Sequence, residues 1–324
     1  MIIGFIDQMR SEGHAVESVC AVLREQGCRI AARTYRAVKA GTRGRSARAV
    51  SDAGVEDLIR QVAYTVDPVT GLRKRTPEGL YGRRKMTAYL RRLGHRVSAG
   101  GVDRAMRDLG LQGVRRGRKV FTTVPDKTAA RAPDLVERNF TAAAPNELWV
   151  TDFTYCRTWA GFVYVAFIVD VYAQLIVSWH ASTRKTVDLV EVPLRIAVWE
   201  RDRQDRPIVP GRLVKHSDAG SQYTAVHYTE SLALEGIRPS IGSVGDAFDN
   251  ALMETINGLF KTECIRTEVF HAGPYKTIAD VEYAVAGWVD WYNNRRLHST
   301  IGMIPPTEHE QAYYAALNRE LQPQ

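Results

Sequence analysis

Between Glu147 and Ile241 the chain writes three strand-like segments in succession and then alternates helix with strand, and this order constrains its fold more than any other feature. Glu147 to Cys156, Phe162 to Val171 and Gln174 to Ala181 are rich in β-branched and aromatic residues, the last two reading as a hairpin. A helix from Thr186 to Glu200 follows, then a short buried strand from Leu213 to His216. A helix from about Gln222 to Leu234 and a fifth strand from Ile237 to Ile241 complete the pattern. Consecutive strands pair antiparallel, whereas strands separated by a helix return parallel, so the expected fold is an α/β sheet of mixed strand direction. The apolar stretch from Phe162 to Trp179 is broken by Asp170 and Gln174 and does not read as a membrane span.

Upstream of this sheet the chain changes character. Residues 1–135 carry 27 Lys and Arg against 13 Asp and Glu, an excess of +14; residues 136–324 carry 17 against 23, or −6. Within 71–120 the count is 15 against 3. A cationic half of this size matches the footprint of a nucleic-acid binder, although a charge run can also be a solvated face. The helical pattern inside it favours the first reading. Ala15 to Gln26 reads as a helix ended by Gly27, with a second from Ala31 to Lys39 carrying Tyr35 and Val38. Gly41 to Ser51 reads as a linker, and a third helix holds Leu58, Ile59 and Val62. Tyr81 to Leu93 then forms a helix with Met86, Tyr89, Leu90 and Leu93 on one face; Gly94 ends it, and Ser98 caps a helix bearing Val102, Ala105, Met106 and Leu109. Such pairs suit helix-turn-helix modules, which lay one helix in the DNA major groove.

Three acids stand where this architecture lets them converge. Asp152 lies between Val150 and Phe153 in the first strand, where a carboxylate is costly to bury unless paired or bound to a cation. Asp218 follows the short strand that ends at His216 and Ser217, and Glu254 sits on a helix after a Gly- and Ser-rich loop. On that helix Phe248, Ala251, Leu252, Ile256, Leu259 and Phe260 make the expected sheet-facing side, while Asn250, Glu254, Asn257 and Lys261 share the opposite edge. Each acid alone reads as structural or solvated, and the polar edge could be a solvent stripe. His216, ending a strand, reads as a packed residue rather than a substrate contact. Trp288, Trp291 and Tyr292, on a helix from Thr277, read as core. Cys20, Cys28, Cys156 and Cys264 contain no Cys-x-x-Cys pair, and His14, Cys20 and Cys28 lack a fourth ligand at zinc-finger spacing.

Asp152, Asp218 and Glu254, with 35 residues between the last two, resemble the DDE transposase and retroviral integrase superfamily. More closely, the chain is similar to the OrfB-type, second-reading-frame transposases of two-frame bacterial insertion sequences. The strings that carry this are Trp149-Val-Thr-Asp152, His216-Ser-Asp-Ala-Gly-Ser-Gln-Tyr223, Asp249-Asn-Ala-Leu-Met-Glu254 with Lys261 seven residues on, Trp291-Tyr-Asn-Asn-Arg-Arg-Leu-His298 and Tyr81-Gly-Arg-Arg-Lys-Met86. Ala219 stands where the family commonly has arginine, and Ala99-Gly100-Gly101 replaces a basic start to the recognition helix.

The resemblance implies an RNase H-like integrase core preceded by an all-α helix-turn-helix DNA-binding region. It implies catalytic and metal-ligand roles for Asp152, Asp218 and Glu254, with two Mg²⁺ ions for which Mn²⁺ could substitute. It implies DNA contacts by Asn250, Lys261, Arg83, Arg84, Lys85, Arg295, Arg296 and His298. The expected organisation is a helical, helix-turn-helix-like region over 1–50, a second basic one over 51–115, a linker over 116–145, the catalytic core over 146–300 and a helical tail over 301–324. The expected partners are element terminal inverted repeats and target DNA, a second copy of the chain on DNA, and the upstream reading-frame product. With no basic, apolar leader in the first residues, the expected location is the bacterial cytoplasm, on the nucleoid. The alternative is a catalytically silent DNA-binding regulator derived from a transposase; a structure-specific nuclease leaves the basic half without a use.

Overall fold

A computed structural model describes residues 2–41, 46–115, 132–136, 139–218, 220–242 and 251–320. They divide into two compact units, Met1–Glu56 and Asp57–Gln324. In the first, helices α1 (Ile2–Ser11), α2 (Val16–Glu25) and α3 (Ala32–Lys39) enclose Ile6, Val16, Val19, Cys20 and Tyr35. The Tyr35 hydroxyl donates to Asp7 Oδ1 at 2.7 Å and accepts from Arg10 at 3.1 Å, tying α3 to α1. The α2–α3 pair is the one expected. Helix α1 is an addition: Ile3, Ile6 and Met9 recur at helical spacing, but ten residues opening on two isoleucines carry little intrinsic preference.

Helix α4 (Ala47–Ala63) starts inside the stretch read as a linker, with Ser46 Oγ accepting from Ala49 N–H at 3.2 Å. Its C-terminal end leads into the second unit and a two-stranded antiparallel ribbon, β1 (Tyr64–Val66) and β2 (Arg73–Arg75), too short to register as strands in the sequence. Then come α5 (Arg83–Arg92) and α6 (Ala99–Asp108), the expected helix pair. Gly94 turns the chain between them at φ +89°, and Ser98 Oγ accepts from Gly101 N–H at 3.0 Å. Met86 and Leu90 of α5 and Val102, Ala105 and Met106 of α6 are buried.

The remaining elements are β3 (Leu148–Thr158), β4 (Gly161–Asp170), β5 (Leu175–Ser182), α7 (Asp188–Arg203), β6 (Val214–Ser217), α8 (Val226–Leu234), β7 (Arg238–Ile241), α9 (Ala251–Leu259), α10 (Ile278–Asn294) and α11 (Pro306–Glu320). The five-stranded sheet has the order β5-β4-β3-β6-β7. β3, β4 and β5 pair antiparallel, whereas β6 joins β3, and β7 joins β6, in parallel, the mixed sheet expected. Trp149 and Ile168 pack with Val190 and Leu194 of α7 and Tyr228 of α8 on one face. Phe167, the next residue along and therefore facing the other way, meets Phe260 and Trp288 at 5.2 and 5.9 Å between ring centres.

Helix α9 buries Met253 and Ile256 and runs into a wide, π-type turn over Phe260–Ile265. Its packed side is therefore rotated from the expected one, since Ala251 is exposed and the longer Met253 fills the interior. The second unit also contains a joint made by the string that starts at Trp291. Trp291 Nε1 donates to Glu78 at 3.0 Å; the Tyr81 hydroxyl accepts from Leu297 N–H at 3.1 Å and donates to the Arg295 carbonyl at 3.3 Å. Asn293 pairs with both the N–H and the C=O of Ile176 on the edge strand β5, at 3.0 and 2.8 Å.

Candidate active site

Strand register brings the first two acids level. Val150 pairs with His216 across the parallel β3–β6 ladder, so two residues further along each chain stand Asp152 and Asp218. Asp152 is half-buried; its Oδ1 accepts from the Phe153 N–H at 2.8 Å and its Oδ2 from Asn257 Nδ2 at 2.9 Å. Asp218 Oδ1 accepts from the Gly220 N–H at 3.2 Å. Glu254 lies on α9, three residues before Asn257 and therefore one turn away on the same side.

The electrostatics join these residues. Burial pushes the Asp152 carboxyl up to about 8, and repulsion from Asp218 and then Glu254 adds to it; the Phe153 N–H and the Lys261 ammonium oppose the rise. Asp218 is raised as well, chiefly by burial, against the Gly220 N–H and the charges of Lys185 and His216. Two carboxylates whose charged forms disfavour one another create a place where a cation is stabilised. Among the described residues no three His, Cys, Asp or Glu side chains close to metal-binding distances, and Asp152 gives one oxygen to the Asn257 amide instead. The donor set nevertheless fits a hard divalent cation: it is all carboxylate, and Asn257 Oδ1 is buried beside it with no hydrogen-bond partner, an acceptor suited to water carried by such an ion.

The other residues expected to contact DNA fall into separate places. Lys261 holds its ammonium 4.9 Å from the Tyr155 ring centre, close enough to Asp152 to lower its pKa. Asn250 lies outside the described residues. Arg83 and Arg84 are exposed at the start of α5, Arg83 standing 3.6 Å from Asp103. Lys85 turns inward over Tyr81, and burial, with Arg296 nearby, pulls its amine down to about 7. Arg295 is at the surface, 3.9 Å from Asp290.

Arg296 and His298 are interior residues. The Arg296 guanidinium forks onto Glu263 through Nε at 2.9 Å and Nη2 at 2.7 Å, and His298 Nε2 meets the Tyr292 carbonyl at 3.2 Å. With its Nε/Nη2 edge taken by the Glu263 carboxylate, its Nη1 against His298 and the whole side chain buried, this guanidinium has no N–H at the surface to offer a phosphate. His216 is packed as expected, its Nδ1 2.9 Å from Ser240 Oγ and its ring edge-on to Phe140. Trp288, Trp291 and Tyr292 are core.

The chain is 46% identical over 241 residues to the transposase for insertion sequence element IS986/IS6110 of Mycobacterium tuberculosis, a match covering 74% of this chain and 85% of that protein. The chain belongs to the insertion-sequence transposases. It is 47% identical over 241 residues to the transposase for insertion sequence element IS629 of Shigella sonnei, covering 74% and 77% of the two chains. Residues 142–247 and 235–306 match integrase core domain families, and residues 55–119 match an HTH-like domain family. A chain of the simian T-cell lymphotropic virus intasome in complex with PP2A regulatory subunit B56 gamma superposes with a TM-score of 0.44 at 14% identity, over 72% of this chain and 74% of that one.

The transposase therefore works in DNA transposition and integration, with a metal-dependent integrase core and an HTH-like DNA-binding domain. No helix among its described residues is long and apolar enough to cross a membrane. Three residues that contact or act on the expected site residues were not assigned from the sequence. Asn257 holds Asp152, and its place on the polar edge of α9 was the available signal. Glu263, the counter-charge of Arg296, gave none, because the two are 33 residues apart with no shared spacing. Lys185, whose ammonium lies 4.9 Å from the Phe153 ring centre and acts on Asp218, was equally silent.

Proposed function

We propose that this transposase cleaves and joins DNA strands at the ends of its element through Asp152, Asp218 and Glu254. The observation that carries the reading is that Asp152 on β3 and Asp218, just past the end of the parallel neighbour β6, each stand two residues beyond the Val150–His216 pair, with the charge of Glu254 felt at Asp152. These three carboxylates would hold Mg²⁺, as two ions for which Mn²⁺ can substitute. The chemistry that such ions would supply there is activation of the attacking oxygen and relief of charge on the leaving one. Asn257 orients Asp152 through its amide. Lys261, with Asn250, holds a DNA phosphate beside the acids.

The reaction has two displacements at one site: water breaks a phosphodiester and frees a 3′-OH, and that hydroxyl attacks a second phosphodiester, releasing its 3′ oxygen as the new bond forms. No covalent enzyme intermediate is required. Arg83, Arg84 and Arg295 supply phosphate contacts from the surface. The chain acts as an oligomer on DNA, and the upstream reading-frame product adds end recognition. Helix α6 supports this division, since its first turn is Ala99-Gly100-Gly101 and the exposed Arg107 is engaged by Asp103 at 2.8 Å.

The test is nicking of DNA carrying the element ends with Mg²⁺ or Mn²⁺. Asp152→Asn, Asp218→Asn and Glu254→Gln should each abolish it, with combined losses far from additive because the ligands act as a unit. Normal nicking by any one of them would remove that residue from the site, and absence of nicking by the unaltered chain, alone and fused to the upstream product, would favour the silent regulator.

A further inference from the structure

The hairpin that carries Asp152 ends in three large aromatic side chains that the core does not use. Tyr155 is 43% exposed, Phe162 47% and Trp159 74%. Tyr155 and Phe162 meet edge to face at 5.4 Å, and both remain partly open to solvent. Cross-strand register explains their meeting: Arg157 pairs with Phe162 and Tyr155 with Tyr164, so all four share one side of the β3–β4 hairpin. The tip is held in place, because the Trp159 and Ala160 N–H groups donate to the carbonyls of Tyr275 and Lys276, each at 3.0 Å.

Each ring has its own cation. Lys261 stands 4.9 Å from the Tyr155 centre, Arg157 5.7 Å from Phe162 and Lys276 5.7 Å from Trp159. Exposed aromatic area on a fixed hairpin marks a binding surface, and its cations select the partner. A second copy of the chain placed symmetrically here would set cation against cation. Polyanionic DNA does not meet that repulsion. Bases within a duplex hide their faces in the stack, whereas unpaired bases present them to any planar ring. Tyr155 lies three residues beyond Asp152 on the same strand, about 10 Å along it and on the alternate side of the sheet; Lys261, 4.9 Å from the Tyr155 ring centre and close enough to act on Asp152, links the two.

We infer that Tyr155 and Phe162, flanked by Arg157 and Lys261, form a stacking platform that holds unpaired bases of the DNA strand next to the cleavage site. Trp159 and Lys276 extend the platform to the tip of the hairpin. The inference rests on Asp152, Asp218 and Glu254 being the cleavage centre, and it assigns that centre a substrate with its terminal bases unpaired.

The test uses the full chain in chelator, so that nothing is cut, with two probes: a blunt duplex, and the same duplex with a short single-stranded overhang carrying 2-aminopurine. The unaltered chain should prefer the overhang and quench its fluorescence. Tyr155→Leu and Phe162→Leu should each lose about tenfold of that preference, the double variant should lose the quenching, and blunt-duplex affinity should stay within about twofold. Both rings are exposed, so folding should be unaffected, and Phe162→Tyr should restore stacking. Overhang binding and quenching by the double variant equal to the unaltered chain would overturn the platform. So would a change of oligomeric state on sedimentation with no change in overhang affinity, which would make the patch an interface between copies. Asp152→Asn with normal nicking but intact overhang stacking would remove the cleavage centre without touching this result.

Discussion

A single carboxyl, Asp152, carries opposing demands. Burial and the charges of Asp218 and Glu254 push its pKa up to about 8, well above the ordinary carboxylate value. A raised folded-state pKa means that its contribution to stability is fully present below the unfolded value and is lost as pH rises through 8. Asp152→Asn removes that loss while keeping an acceptor for Asn257. In chelator above pH 8 the variant should therefore be more stable than the unaltered chain by about 1–2 kcal/mol, a gain that vanishes near pH 4. Urea unfolding at the two pH values checks this; equal stability at both would show that the acids do not repel. Arg296 makes the opposite case. Arg296→Met strands the buried Glu263 carboxylate and should cost about 3–5 kcal/mol, read as a lower urea midpoint. If Arg296 served DNA instead, the same change would weaken binding and leave the midpoint alone. Asp152 was legible because a charge inside an apolar strand violates a local pattern. The burial of Arg296 was not, since an arginine beside an arginine looks like surface until the distant Glu263 is known.

At the scale of elements, the sheet and its helices followed from periodicity, because buried strands rich in Val, Ile and Phe leave little choice of structure. Short elements did not: the β1–β2 ribbon is three residues a side, and α1 lacks strong helix formers. Helix α5 shows how one basic string divides by geometry. Arg83 and Arg84 face solvent while Lys85, one residue on, turns inward toward Tyr81 and Arg296. The paired substitution Arg83→Gln/Arg84→Gln should lower duplex affinity and flatten its salt dependence by roughly one to two in the logarithmic slope. Lys85→Met should leave both unchanged and raise thermal stability, because it removes a cation disfavoured by burial. Equal loss of DNA affinity in both variants, measured by salt titration, would place all three side chains on the DNA.

Over the whole molecule, the charge division pointed to a basic part and a chemical part, and composition gave no hint of how tightly residues 57–115 are built into the rest of their unit. Glu78 and Tyr81 bond to Trp291, Arg295 and Leu297, and Arg92 pairs with Glu308. That joint sets a timetable. Tyr81 and Leu297 are 216 residues apart, so the partner of Tyr81 is synthesised about 10–40 s later at ordinary ribosomal rates. Throughout that interval the nascent protein has its positively charged segment without the backbone that completes its packing. The HTH-like segment is thus locked in place only once Leu297 has been made, and a message broken short of the codon for Leu297 would yield a polypeptide able to touch DNA but unable to finish folding.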